Sequence, residues 1–425
     1  MASRDTVGQQ SCDSCGRSIA RAVLLAAFGL VFGGLPAYAF DGARQISKSY
    51  LNPENFLDLQ AYSFSKREDD LWYEADNGWR SGGGSLGLDL LYLLLEVKLR
   101  HPLSESWSVG FELEQEEFYE IKPLNYLVEV EWRPQVWLGV AFVGMPEYDK
   151  RHADEGLGIT LGRQPWDFLR YRRVLHDLYY NEKNFYDNST YDAHPVEDVW
   201  EGSVRWEKWR LRGERTEVRP FTQRFPAEQL TFKSSSVETV LVLDWQRSPE
   251  QLLGVTVKSF DVRKLRKAPN TTVRADNRRQ RLRYESLNFY GLQPFNPDWH
   301  GTFGLRWDWF RNEFRDLVDG HDSEDFSLKS LQLYSELRQT NSPTTSWEYG
   351  LYAADVVKRV ASVPAAATDK LDKKVEIKLR VSWQVGQVDD QGALRLISTW
   401  DVDGFSPSNF LGIWDGGSMT YQHTF

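Results

Sequence analysis

The stretch VEIKLRVSWQV (residues 375–385) decides the fold. Val375, Ile377, Leu379, Val381, Trp383 and Val385 alternate with Glu376, Lys378, Arg380, Ser382 and Gln384. A period of two sends successive side chains to opposite faces of a strand, and no helix has that period. One face is wholly apolar and the other charged or polar, as in a strand with lipid on one side and water on the other. The pattern recurs. In FGLRWDW (303–309), Phe303, Leu305, Trp307 and Trp309 share a face against Gly304, Arg306 and Asp308. WSVGFELE (107–114) and LYLLLEVKLR (91–100) repeat it. Near residues 200–212 the apolar face slips by one residue at Glu207-Lys208, the mark of a two-residue hairpin turn.

A soluble β-sandwich also alternates. Two features favour a membrane barrel instead: aromatic residues stand at strand ends on the apolar face, and the polar face carries full charges in strand after strand. The composition agrees. The chain has 425 residues, 26% of them charged, with 17 Trp and 19 Tyr, the residues that favour a membrane–water interface. After residue 40 no apolar run reaches the 18 residues that a membrane helix needs, which excludes a helical membrane protein.

The first 39 residues have the form of a cleaved secretory signal. Arg17 and Arg21 precede the apolar run AVLLAAFGLVF (22–32), and Ala37 and Ala39 are placed as the small residues of a cleavage site. Cys12 and Cys15, the only cysteines, lie inside that segment, so the remaining chain has no disulfide and no thiolate site. The segment carries three Arg and two Asp, and its loss takes the formal charge from −10 to −11. An acidic chain lacks the basic face that duplex nucleic acid requires, so nucleic acid is not an expected partner.

Alternating segments give a working count of sixteen strands, with a range of 14–18. The fold expected is all-β, a transmembrane antiparallel β-barrel over residues 86–425. Residues 56–65 and 172–182 are candidates for further strands. SGGGS (81–85) reads as a flexible hinge, and residues 40–85 as a periplasmic lead, a plug or a first strand. The count places the turn RPQ (133–135) on the outside, where it is very tight, and makes 155–169 one strand. It leaves 219–236, 265–277, 359–373 and 403–410 as outward loops.

The chain closes on GGSMTYQHTF (416–425), with Met419, Tyr421, His423 and Phe425 on one side of an extended strand. This resembles the terminal strand of bacterial outer-membrane β-barrel channels, which end in Phe with hydrophobic residues at alternate positions. His423 departs mildly from the usual aromatic, and Gly417 is weaker still. The resemblance implies residence in the bacterial outer membrane, contact with its lipid and lipopolysaccharide, and Tyr421 and Phe425 as a membrane-insertion signal read by the barrel-assembly machinery. A second resemblance, over about twenty residues, is to the alginate-export family. Members carry a strand ending in GRQ, then a loop rich in Arg, Tyr and Asp, as in ITLGRQPWDFLRYRRVLHDLYY (159–180). It implies export of an anionic exopolysaccharide with periplasmic export partners.

In a barrel the charged faces line the lumen. The expected acidic wall is Glu112, Glu114, Glu129 and Glu131. The expected anion-binding wall is Arg163, Arg205, Arg210, Arg212, Lys258, Arg306, Arg380 and Arg395. Unlike charge on opposed walls sets up a transverse field, and excess arginine favours uronic-acid sugars or small carboxylates, which guanidinium grips bidentately. The competing expectation is that inward charges pair with one another and fill the barrel. Arg170, Arg172, Arg173 and Asp177, in RYRRVLHD (170–177), are candidates for a constriction loop. RKLRK (263–267) and RADNRRQRLR (274–283) flank a basic outer loop.

The expected function is an outer-membrane channel for hydrophilic, anionic solutes or an anionic exopolysaccharide. The alternatives are a general diffusion porin, a structural or partner-holding barrel, and a rim hydrolase. The last needs Ser189 set against His176 or His194 and a carboxylate of Asp177, Asp192 or Asp198. No motif supports it, and no cofactor, catalytic residue or metal ligand is assigned.

Overall fold

The computed structural model describes residues 70–86, 90–118, 124–145, 153–179, 190–226, 229–248, 250–270, 272–273, 276–318, 322–362, 368–389, 392–402 and 414–425. The expected signal and the candidate strand at 56–65 lie outside these residues. A helical turn at 70–74 leads into the strands. These are β1 (Gly78–Leu86), β2 (Leu90–Pro102), β3 (Trp107–Phe118), β4 (Leu124–Gln135), β5 (Leu138–Met145), β6 (Asp154–Gly162), β7 (Phe168–Leu175), β8 (Thr190–Ala193), β9 (Val196–Trp206) and β10 (Trp209–Phe225). They continue as β11 (Leu230–Ser248), β12 (Gln251–Lys267), β13 (Arg278–Asn296), β14 (Trp299–Asp316), β15 (Asp322–Ser342), β16 (Thr345–Ser362), β17 (Thr368–Gln387), β18 (Gly392–Asp401) and β19 (Trp414–Thr424).

Neighbours in sequence pair antiparallel, except that β7 skips β8 to reach β9. β19 returns to β1, with Gly78 opposite Thr424 and Leu86 opposite Gly416. Eighteen strands therefore close into a barrel, and β8 lies outside that cycle against the upper part of β10. Closure leaves no strand edge to satisfy, the condition for a sheet in lipid.

Eighteen is the top of the expected range, and two strands make the difference. The first is β1. Its SGGGS core is no hinge but is paired on both sides, to β2 and β19. A Cβ on Gly84 would stand 2.5 Å from the carbonyl oxygen of Gly417, and one on Gly82 2.7 Å from the Thr420 methyl. The glycines are there for close approach at the closing seam, which overrides their poor strand propensity. The second is β7. The expected strand 155–169 is a hairpin of β6 and β7, turning at Gly162 with φ of +89°. Adding β1 also corrects the parity. The chain extends through Arg133-Pro134-Gln135 and turns at Val136-Trp137, at the same end as the Glu207-Lys208 turn and Phe425. The Glu207-Lys208 hairpin stands as expected, with Glu207 in the left-handed region at φ of +49°.

The barrel has two heights. β1–β7, β9, β18 and β19 run 8–13 residues, close to what a tilted strand needs to cross a bilayer. β10–β17 run 17–21 residues and continue beyond it. Much of 219–236, expected as an outward loop, is therefore strand: β10 reaches Phe225 and β11 begins at Leu230. β8 fills the step between the heights, pairing with Thr222–Arg224 of β10 above a bulge at Val218/Phe221.

Outside, Leu253, Phe303, Leu333, Leu351 and Val375 stand exposed. At the turn end aromatic pairs ring the cylinder: Trp79–Tyr421, Trp107–Trp132, Trp206–Trp209 and Trp347–Trp383, with ring centroids 5.5–6.1 Å apart. Inside, side chains are mostly polar and buried, including Glu129, Glu131, Gln332, Glu336 and Glu348.

Candidate functional site: the inner face of the barrel

On the short wall, charges meet across strands. Arg100 of β2 lies opposite Gly110 of β3, and Gly110 lies opposite Glu129 of β4. The guanidinium crosses β3 at that glycine and donates to Glu129 Oε1 at 3.0 Å and Glu131 Oε2 at 2.8 Å. Arg133 reaches Glu131 at 2.9 Å, and Arg170 of β7 closes on Glu129 from the other side. Gly139 leaves room for the Glu131 carboxylate, since a Cβ there would come within 2.4 Å of Oε1. The acids of β4 are thus met by near neighbours, not by a basic wall opposite. Glu112 and Glu114 also face inward, Glu112 in a cleft with Asp76, Lys98, Arg100 and Glu129.

At the turn end the lumen carries three arginines together. Arg205 of β9 is the register partner of Arg210 on β10, and Arg212 is two residues on. The helical turn at 70–74 supplies their anions. Glu74 accepts from Arg205 at 3.4 Å and from Arg210 at 3.3 Å. Asp70 lies 3.4 Å from Arg210 and 3.6 Å from Arg212. Trp166, from the β6–β7 turn, lies under Arg205 and Arg210 at 4.2 and 4.5 Å, and Tyr73 under Arg212 at 4.6 Å. Cation–π contact of this kind holds guanidiniums in a plane and leaves their edges for carboxylates.

On the tall wall tyrosines do the crossing. Tyr290 of β13 lies opposite Gly254 of β12, which lies opposite Asp244 of β11. The phenol passes over that glycine and donates to Asp244. Tyr334 of β15 passes over Gly304 of β14 and donates to Asn288 of β13 at 3.0 Å. Tyr284 donates to Asp308 at 2.9 Å, and Arg306 bridges both, 3.1 Å from the phenol and 2.9 Å from the carboxylate. Nearer the loop end the inner face turns apolar, with Phe260, Val262, Leu282, Phe310, Leu328, Ala354 and Val356 in one buried cluster.

The other sequence-derived candidates divide. Lys258 faces inward and is exposed. Arg380 and Arg395 face inward and are buried, Arg380 donating to Thr399 at 3.2 Å. Arg163 is not on the wall but exposed in the β6–β7 turn. Arg170, Arg172 and Arg173 belong to no loop: they are in β7, which alternates, so Arg170 and Arg172 point inward and Arg173 outward. Arg173, Arg219 and Tyr171 converge on Asp198 on the outer face. Arg263, Arg281 and Arg283 do the same around Asp261. Tyr421 faces outward in β19, and Phe425, just past its end, is exposed and donates its N–H to Asn77 O at 3.1 Å. For Asp70, Tyr73 and Glu74 the sequence offered only the plug reading of residues 40–85 and singled out no side chain; Trp166 had no signal beyond its place in the Arg-rich stretch 159–180.

At the rim beyond β7, His176 donates to Asp154 from Nδ1 at 2.7 Å and faces Glu197 at 3.7 Å. Burial opposes the imidazolium, but the bond to Asp154 and the contact with Glu197 outweigh it and push its pKa up to about 10. A charged imidazolium with both nitrogens against carboxylates is a bridge between strand ends and a poor general base. Asp177 accepts from Tyr191, and Asp192 from Arg224, while Ser189 lies outside the described residues. Among the described residues no group of His, Cys, Asp and Glu is placed to hold a metal.

A closed antiparallel ladder, an apolar outer band, an aromatic ring at the turn end and a polar interior occur together only where lipid surrounds the sheet. The protein is an outer-membrane β-barrel. Short turns mark its periplasmic end and the longer connections its extracellular end. No family model matches the chain, and no curated protein does. Among solved structures it is similar to a bacterial polysaccharide outer membrane secretin, at 11% identity over 83% of this chain and 99% of that one, with a TM-score of 0.38. It is similar to Pseudomonas aeruginosa OccK10 (OpdN), at 11% identity over 83% of this chain and 98% of that one, with a TM-score of 0.38. Pseudomonas aeruginosa OccK2 (OpdF) in complex with glucuronate has 11% identity over 82% of this chain and 97% of that one, with the same TM-score of 0.38. The barrel assignment stands on the ladder of this chain, not on these likenesses.

Proposed function

We propose that the barrel is a channel for hydrophilic, anionic solutes, carboxylated saccharides foremost. One observation carries this reading: Arg205 and Arg210 over Trp166, and Arg212 over Tyr73, gather at the periplasmic mouth and already hold carboxylates there. Three adjacent cations repel one another, so such a cluster favours an anion that bridges them. The aromatic face beside it suits the apolar side of a sugar ring. Glu129 and Glu131 of the short wall do not cancel this preference, because they are engaged by Arg100, Arg133 and Arg170.

The test is reversal potential in a salt gradient across a planar bilayer holding the refolded chain. The expected result is anion preference that falls severalfold when Arg205, Arg210 and Arg212 are changed together to Ser. A folded barrel without current, or with unchanged selectivity in the triple variant, overturns the reading.

A further inference from the structure

We infer that the turn at 70–74 is a built-in competitor for the solute, a tethered imitation of a molecule bearing two carboxylates. This rests on the channel reading above. Asp70 and Glu74 are four residues apart, so a helical turn places their side chains on one face. Between them they touch all three mouth arginines, with Arg210 shared. Tyr73, in the same turn, meets the edge of Trp166 at 5.8 Å and supplies the face under Arg212. The cluster is therefore filled by two carboxylates and a ring, the chemistry of an oligo-uronate.

The contacts are those of an exchangeable occupant. The mouth pairs span 3.3–3.6 Å, whereas Arg100 bonds Glu129 and Glu131 on the short wall at 3.0 and 2.8 Å. Shorter charge-assisted bonds are the stronger ones. Apart from the arginines and Trp166, the turn is tied to the barrel along its β1–β2 flank. Asn77 Oδ1 accepts from the Arg100 amide at 2.7 Å, the Trp72 carbonyl accepts from Lys98 at 3.3 Å, and Arg80 covers the Trp72 ring at 4.8 Å. Release of Asp70 and Glu74 leaves these anchors and every ladder bond in place. An incoming solute with two carboxylates takes over the arginines and frees the mouth. A single carboxylate meets a competitor held at high effective concentration by its tether.

The test uses the full chain in a planar bilayer with two probes, digalacturonate and glucuronate. Asp70→Asn with Glu74→Gln removes charge and leaves shape. The double variant is expected to pass more anion current, and to be half-blocked by digalacturonate at a concentration about tenfold lower than the parent. Hydrogen exchange on the unaltered protein supplies a reading that needs no variant. Amides 70–77 are expected to exchange faster with digalacturonate present and little faster with glucuronate. If the double variant matches the parent in current and block while the arginine triple variant loses selectivity, the competitor is overturned and the channel reading stands. If the triple variant keeps its selectivity, both fall. Equal exposure of the turn by the two probes overturns the two-carboxylate class.

Discussion

The short and tall walls solve one problem with different chemistry. In each, a long side chain crosses the neighbouring strand at a glycine and bonds the strand beyond. On the short wall it is Arg100 over Gly110 to Glu129 and Glu131. On the tall wall it is Tyr290 over Gly254 to Asp244, and Tyr334 over Gly304 to Asn288. The short wall ends near the limits of the bilayer and fills its inner face with ion pairs. The tall wall continues past it and adds the apolar cluster around Phe310 and Leu328. Beyond the bilayer no lipid presses on the outer face, so the upper strands gain by burying apolar surface among themselves. Buried ions are costly to separate and tolerant of replacement as a pair, whereas stacked rings are sensitive to shape.

The largest effect is expected where a charge is stranded. Glu129→Ala leaves Arg170 buried without its nearest carboxylate, at a cost of about 3–5 kcal/mol in urea unfolding followed by tryptophan fluorescence. Glu129→Leu combined with Arg170→Met is expected to recover most of that loss. A mild effect of the single change would erase the distinction between the walls.

Next come the outer faces, which the comparison holds to be equivalent. Leu333→Arg on the tall wall and Ile159→Arg on the short wall are each expected to cost about 2–4 kcal/mol in the same assay. Unequal costs would show that lipid does not meet the two walls alike.

A smaller loss belongs to the tyrosine crossings. A Cβ on Gly304 would lie 2.0 Å from the Tyr334 ring. Gly304→Ala is expected to cost about 1–3 kcal/mol by forcing that ring off the wall. Adding Tyr334→Ser should remove much of the penalty, and strict additivity of the two changes would break the crossing model.

The smallest global effect concerns the rim of the short wall. His176 has its folded pKa raised to about 10 by Asp154 and Glu197. Its contribution is therefore complete below the unfolded value near 6.5 and is lost as pH rises through about 10. Because the bridge ties only strand ends, the loss should register as faster amide exchange at residues 154 and 175–177 between pH 8 and 10, compared with pH 6. His176→Gln is expected to show no such added pH dependence.

Most of the barrel was legible because lipid and water act on every strand in the same way. VEIKLRVSWQV shows the rule, and the structure keeps its register in β17 without a slip. β1 was only one of three readings of residues 40–85, because its glycines carry no alternation: their purpose, close approach to β19, involves residues more than 300 positions away. β7 was legible only at its end, inside the candidate strand 172–182, because Arg170, Arg172 and Arg173 have the composition of a loop; pairing with β6 and β9 makes residues 168–175 a strand. At the mouth, Arg205, Arg210 and Arg212 were readable as inward residues from strand parity. Their occupants were not, because Asp70 and Glu74 belong to no periodic segment.

What the amino-acid order determined by itself was therefore the two-faced strand, the even closure and the place of charge inside. Each follows from a local period imposed by the solvent on either side. What only the tertiary structure decided was which inward charges pair within the wall and which pair with the turn before β1. Glu129 and Arg205 look alike in sequence, each a charge on a polar strand face. One lies across β3 from Arg100, and the other faces the turn at 70–74 that precedes β1. Pairing energy depends on distance and burial across strands, and neither is encoded within a strand.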